Sequence, residues 1–214
     1  MTDALQPSQL HKQFGDIDIY LFDQLLRGRI AEGATVLDAG CGSGRNLVFM
    51  VRAGMTVFGV DAAEEAIAAA RQRLAEASPD FDPAHLSVQS ISALRFEDQA
   101  MDVVISSAVL HFAQDDTHFD AMVHEMWRVL APGGMLFCRL ASTIGIEDRV
   151  RPVSGRWHLL PDGSTRYLVD EAQLMETTRR LGGSLLDPLK TTVVQGMRAM
   201  TTWVVGKEDR MIGR

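Results

Sequence analysis

The sequence predicts an α/β fold: a doubly wound, mostly parallel sheet closed by an antiparallel carboxyl-terminal hairpin. Three observations predict it. Val36-Leu37-Asp38-Ala39 runs into a loop with glycines at 40, 42 and 44, and a second apolar run, from Met55 to Val60, stops on Asp61. Apolar strand-like runs then alternate with helical stretches along the chain. Near the end, residues 185–194 and 197–205 flank Gln195-Gly196, a two-residue turn signal.

In order, the chain opens on polar residues, loosely held to about Phe14, and a helix is expected over 16–30 with Asp16 as N-cap and Leu21, Leu25 and Leu26 on its apolar stripe. After the glycine loop a helix starts at Arg45 and stops at Gly54, where a C′ glycine belongs. The next, over 63–77, is rich in Ala, Glu and Arg, strong helix formers. Pro79 and Pro83 end it, and a third short strand is expected at 85–89. Residues 102–112 read as the fourth strand and its exit. Asp115 or Asp116 caps a helix ending near Leu130, and Pro132-Gly133-Gly134 turns into a fifth strand over 135–140.

Residues 143–167 show little periodicity and carry Arg149, Arg151, Arg156 and Arg166. An insertion of this length reads as a lid or binding loop; the alternative is a solvated loop whose arginines pair with Glu147, Asp148 and Asp162. A helix over 170–181, stopped by Gly182-Gly183, precedes the closing hairpin.

Composition narrows the function classes. The chain has 214 residues, 46% hydrophobic, which suits a single domain over 1–214 with a sizeable core. A net charge of −7 argues against a nucleic-acid substrate, whose phosphates are held by clustered Lys and Arg. No apolar run is long enough to span a bilayer and the first residues lack a signal-peptide pattern, so the expectation is a cytoplasmic protein without membrane partners. Cys41 and Cys138 are too few for a disulfide framework, and the six histidines show no metal-ligand spacing, so no metal is expected.

The glycine loop and Asp61 form a nucleotide-binding βαβ signature, and charge selects among nucleotides. A dinucleotide fingerprint wants Gly or Ala at the sixth loop position, where Arg45 stands. Asp38, two residues before the first glycine, would repel a pyrophosphate and attract an ammonium group. S-adenosylmethionine carries an ammonium, a sulfonium and a ribose and no phosphate. Asp38 at the amino group, glycine backbone along the methionine part and Asp61 on the ribose suit it better than NAD.

These stretches resemble the class I S-adenosylmethionine-dependent methyltransferases. Residues 36–46 are similar to their first motif, Val57-Phe58-Gly59-Val60-Asp61 to their second strand, Ser106-Ser107-Ala108-Val109-Leu110-His111-Phe112 to their fourth, and Met126 to Gly134 to the helix end and turn before their fifth. Gly44-Arg45-Asn46 is also similar to the tellurite-resistance-type members. The resemblance implies a Rossmann-like seven-stranded sheet with the seventh strand beside the fifth. It also implies an amino-terminal helical cap over 1–31, with Phe14 and Tyr20 as candidates to touch the ligand; the alternative, favoured for Tyr20, is that they are core residues of an amphipathic helix. Within the single domain, 142–167 is the candidate lid or substrate-binding insertion.

The cofactor-binding residues it implies are Asp38, Gly40, Cys41, Gly42, Arg45 and Asn46 in and after the loop, and Asp61 and Ala62 at the second strand. Ile91 and Ser92 fall at the adenine, and Ser106 and Ala108 at the fourth strand. Ile91 stands where many relatives have an aspartate for the adenine amino group, which leaves Ser92, backbone or apolar contact to serve it. His111 is the best-placed general base, the favoured alternative being a cofactor-facing or structural histidine.

Methyl transfer from a sulfonium is an in-line displacement that leaves S-adenosylhomocysteine, and an anionic acceptor needs no base. The fourth motif lacks the Pro-Pro-Tyr sequence of relatives that methylate base amino groups, which favours a small-molecule acceptor. The alternatives are a nucleotide-dependent oxidoreductase of the NAD type and an S-adenosylmethionine-binding module without catalysis. The sequence leaves the acceptor and the oligomeric state unassigned.

Overall fold

A computed structural model describes residues 7–209, which divide into two compact units meeting in sequence at Ser90 and Ile91. The first unit runs α1 (Pro7–Phe14), α2 (Ile19–Leu26), β1 (Thr35–Ala39), α3 (Val48–Arg52), β2 (Thr56–Asp61), α4 (Glu64–Ala77) and β3 (Leu86–Val88). Its strands pair in parallel, β1 with β2 and β2 with β3. Val36, Leu37 and Val60 are wholly buried, as strands of a covered parallel sheet require. Gly59 faces Asp38 in register, and a methyl group on it would approach Leu86 Cδ2 to 2.6 Å and Cys41 Sγ to 3.1 Å. A side chain there would require Leu86 and Cys41 to shift.

The amino-terminal helix differs from expectation in two ways. A separate helix, α1, forms within the stretch read as loose, because Phe14 closes an aromatic cluster with Phe22 and Phe49 at ring-centroid distances of 4.8 and 5.2 Å. Residues 1–6 of that stretch lie outside the described residues. The cap of α2 is Asp18, not Asp16: its Oδ1 accepts the Tyr20 N–H at 3.0 Å, while its own N–H donates to Asn46 Oδ1 at 3.0 Å. Gly15, at φ +66°, separates the two helices.

The second unit contains β4 (Met101–Ser107), α5 (Asp116–Val129), β5 (Leu130–Ala141), β6 (Arg151–Ser154), β7 (Trp157–Leu159), β8 (Thr165–Tyr167), α6 (Glu171–Arg180), β9 (Gly183–Leu185), β10 (Lys190–Val194) and β11 (Arg198–Lys207). β4 and β5 are parallel, and β11 lies antiparallel beside β5, as the resemblance implied for the last strand. The hairpin between β10 and β11 turns on Gln195 and Gly196, both at positive φ. The run expected to be continuous from 185 to 194 is instead two strands, β9 and β10, each paired with β11. Pro188 lies between them and has no N–H for the ladder.

Asp115 and Asp170 cap α5 and α6, accepting the N–H groups of His118 and Gln173, each at 2.7 Å. Near the end of α5, the Arg128 guanidinium donates to the carbonyls of Leu94 (2.9 Å) and Phe96 (2.8 Å) and to the Asp98 and Glu125 carboxylates. The stretch that follows Ile91 and Ser92 is thereby fixed.

Within residues 143–167, expected to show little periodicity, residues 151–167 fold as the antiparallel meander β6-β7-β8. Strands this short alternate too few times to register as a periodic pattern. Trp157 Nε1 donates to the Gln114 carbonyl at 2.7 Å, and Tyr167 stacks on Phe119 with centroids 5.4 Å apart. Arg156 bonds Asp170 at 2.8 Å, and its Nε lies 3.8 Å from Asp116. It therefore pairs with helix-terminal acids and not with the acids of the insertion itself. Among the described residues, no helix is long and apolar enough to cross a membrane.

Candidate functional site

In the first unit the chemistry gathers at the carboxyl ends of β1 and β2. The N–H groups of Gly40 and Cys41 both donate to the Val60 carbonyl, at 2.8 and 2.9 Å, which folds the loop back on β2. Gly40, Gly42 and Gly44 all take positive φ, so the tight turn needs them. Asp61 holds the loop from the other side. Its Oδ2 accepts the Gly42 N–H and its Oδ1 the Ala63 N–H, each at 3.0 Å, and each oxygen keeps a second lone pair for a ligand hydroxyl. Ala62, beside it, is exposed.

Asp38 has an unusual environment for a carboxylate. It is 1% exposed, and neither oxygen completes a hydrogen bond among the described residues. Burial pushes its pKa up to about 7, against the opposing pull of the Asn46 amide and the Arg45 charge. An unpaired buried carboxylate is unfavourable by several kcal/mol unless a cation or donor completes it, or a proton does. This site therefore suits a cationic or hydrogen-bond-donating ligand group.

Arg45 and Asn46 bind the chain before α2 as well as bordering the loop. Arg45 Nη1 donates to the Asp16 carbonyl at 2.9 Å, and Asn46 takes the Asp18 N–H. The Cys41 thiol is buried, and burial first, then the nearby Asp38 and Asp61 charges, push its pKa far up. It is an unreactive filler whose backbone N–H does the work.

The second unit holds the other sequence-predicted residues. Ile91 is buried and Ser92 half-buried. Ser106, wholly buried in β4, has no hydrogen-bond partner for its hydroxyl among the described residues. Ala108, just past β4, sits at φ +65°, a conformation uncommon for a residue with a side chain and concentrated at functional sites. His111 follows in a short 3-10 turn, 8% exposed, and its Nδ1 faces the Ala141 N–H at 3.4 Å. That acceptor role places the proton on Nε2. Burial first, and the Arg166 charge second, lower its pKa to about 4, so the ring is neutral at physiological pH.

Ala108 and His111 border a cavity of about 300 Å³, at the small end for a ligand pocket. Arg139 from β5, Arg166 from β8 and Arg198 from β11 also line it. Sequence reading did not single out Arg139 or Arg198. Arg139 carried a signal, a charge inside the apolar run from Leu136 to Leu140; Arg198 carried none, because only the hairpin pairing brings it to the cavity.

The chain resembles known proteins in sequence and in fold. Residues 36–134 match the family described as a methyltransferase domain. The chain is 30% identical over 163 residues to a ubiquinone biosynthesis O-methyltransferase of Maricaulis maris, covering 74% of this chain and 62% of that protein. The chain spans less than two thirds of the length of the curated relatives it matches first. Among solved structures, an S-adenosylmethionine-dependent methyltransferase of Methanosarcina mazei superposes with a TM-score of 0.71 at 21% identity, covering 87% of this chain and 98% of that one. The magnesium protoporphyrin IX methyltransferase of Synechocystis, with bound S-adenosylhomocysteine, gives 0.67 at 20% identity, covering 97% and 90%. At these identities the likeness establishes the fold.

Proposed function

We propose that this chain, whose residues 36–134 match the methyltransferase-domain family and whose fold is that of the class I S-adenosylmethionine-dependent methyltransferases, transfers a methyl group from S-adenosylmethionine to a small-molecule acceptor. The observation that carries this reading is Asp38, a buried carboxylate whose oxygens complete no hydrogen bond among the described residues and which lies on β1, next to the strand that ends in Asp61. An ammonium group completes Asp38, and ribose hydroxyls complete Asp61. Asp61 would serve the ribose of either cofactor, but a pyrophosphate would be repelled by Asp38, which favours S-adenosylmethionine over NAD.

S-adenosylmethionine supplies an activated methyl on a sulfonium. The residues of this chain bind and orient it. Asp38 holds the amino group, the Gly40, Cys41 and Gly42 backbone lies along the methionine part, and Asp61 and Ala62 meet the ribose. Arg45 and Asn46 tie the loop to the segment before α2. Ile91 and Ser92 serve the adenine through apolar contact and a hydroxyl, and Ser106 and Ala108 shape the exit of β4.

His111 is a neutral ring whose Nδ1 is engaged, so it acts as a hydrogen-bond donor through Nε2 and not as a strong base. Buried thiols at Cys41 and Cys138 that form no disulfide suit a reducing compartment, and the proposed location is the cytoplasm.

Titration calorimetry with S-adenosylhomocysteine and with NADH tests the reading. Binding of the first and not the second is expected; the reverse pattern overturns it. Binding without methyl transfer to any acceptor in a broad screen would leave a cofactor-binding module.

A further inference from the structure

The cavity of the second unit is lined by more cationic than anionic side chains. Its walls carry three guanidinium groups, Arg139, Arg166 and Arg198, against one carboxylate, Asp162, while His111 is neutral. The local balance is positive in a chain whose net charge is −7. Asp162 offsets one of these charges: its Oδ1 accepts both the N–H and the hydroxyl of Ser164, at 2.9 and 2.6 Å, and its carboxylate feels the charges of Arg166 and Arg198, which leaves the arginines in excess. Arg166 is held in place, with its guanidinium carbon 5.2 Å from the centroid of the Phe112 ring and Nη1 donating to the Thr165 carbonyl. Leu160, Val194 and Met200 supply an apolar wall in the same cavity. A site with clustered arginines on one side and aliphatic side chains on the other matches a molecule with an anionic end and an apolar body.

We propose that this cavity takes the methyl acceptor as a small organic acid, its carboxylate held by Arg166 and Arg198 and its apolar body against Leu160, Val194 and Met200. This rests on the methyl-transfer reading above. The reacting atom then lies toward Ala108 and His111. In the transfer the carbon–sulfur bond of the sulfonium breaks, its electron pair staying on sulfur as the thioether. A lone pair of the acceptor's oxygen or sulfur forms the new bond to the methyl carbon. A proton on that atom passes to solvent, since His111 at about 4 is too weak a base to keep it.

The test measures binding to protein saturated with S-adenosylhomocysteine, using 3-hydroxybenzoate, 3-mercaptobenzoate and 4-mercaptobutyrate, each against its uncharged primary amide. At least one acid should bind tenfold or more tightly than its amide, and the preference should shrink as salt rises. Arg166→Gln and Arg198→Gln should each remove most of that preference and leave S-adenosylhomocysteine affinity within twofold. Melting curves identify a variant that fails to fold, and the acid-against-amide comparison in the parent protein stands without the variants. If S-adenosylhomocysteine itself fails to bind, the methyl-transfer reading fails. If it binds and no acid is preferred over its amide, or the preference survives both substitutions, the organic-acid assignment is overturned and methyl transfer is untouched.

Discussion

Asp61 Oδ2 accepts the N–H of Gly42 at 3.0 Å, so the acid that ends β2 also fixes the glycine loop that follows β1. One carboxylate thus shapes the loop and presents its remaining lone pairs to a ligand. Asp61→Ala removes both roles. The ribose hydrogen bonds are charge-assisted, roughly 1.5–3 kcal/mol each, so S-adenosylhomocysteine affinity should fall about ten- to a hundredfold or more. Calorimetry measures it, and an affinity within twofold of the parent would reject this placement of the ribose.

Asp38 gives two pH dependences of opposite sign. Its folded pKa is raised by burial from 3.8 to about 7. The proton it holds therefore favours the folded, empty protein fully below 3.8; that contribution fades as pH rises and is lost above about 7. Asp38→Asn should raise the melting temperature of the empty protein near pH 8, where the parent buries a charge. Cofactor binding runs the other way, because the ammonium group needs the carboxylate. Affinity for S-adenosylhomocysteine should rise by up to about tenfold per pH unit below 7 and level off above it. Calorimetry in two buffers of different ionisation enthalpy should detect proton release on binding below pH 7, and none in Asp38→Asn. A flat profile in the parent would contradict the pairing.

His111 predicts what the rate profile lacks. With a pKa lowered to about 4 by burial and by Arg166, it does not titrate between pH 5.5 and 8. His111→Gln keeps a donor in place, so kcat should drop by no more than about tenfold, the lower range of a lost general base being a hundredfold. A limb near pH 6.5 in kcat/KM that disappears in the variant would restore His111 as the base.

Arg156 is bonded to Asp170, the residue that caps α6. Both partners are part-exposed, at 30% and 42%, so the pair contributes roughly 0.2–1 kcal/mol. Arg156→Ala should lower the melting temperature slightly and leave the acceptor KM unchanged, and Arg151, in the exposed strand β6, should behave alike. A several-fold rise in the acceptor KM in either variant would return these arginines to substrate recognition.

What the sequence determined by itself is local. Val36 to Gly44 and Met55 to Asp61 specify a strand, a loop and a strand because buried strands need continuous apolar runs and tight turns need glycine, and both demands are met by neighbours in the chain. Asp38 and Asp61 are legible for the same reason, each at a strand end beside the loop. The tertiary structure decided what depends on residues far apart. Asp18 displaced Asp16 as a cap because Asn46, 28 residues on, takes its N–H. The meander over 151–167 has strands too short to show a period, and Trp157 and Tyr167 seat it on the turn before α5 and on α5 itself. Arg139, Arg166 and Arg198 meet at one cavity only because β5, β8 and β11 bring them there; charge attraction is felt in space, and spacing in sequence does not record it.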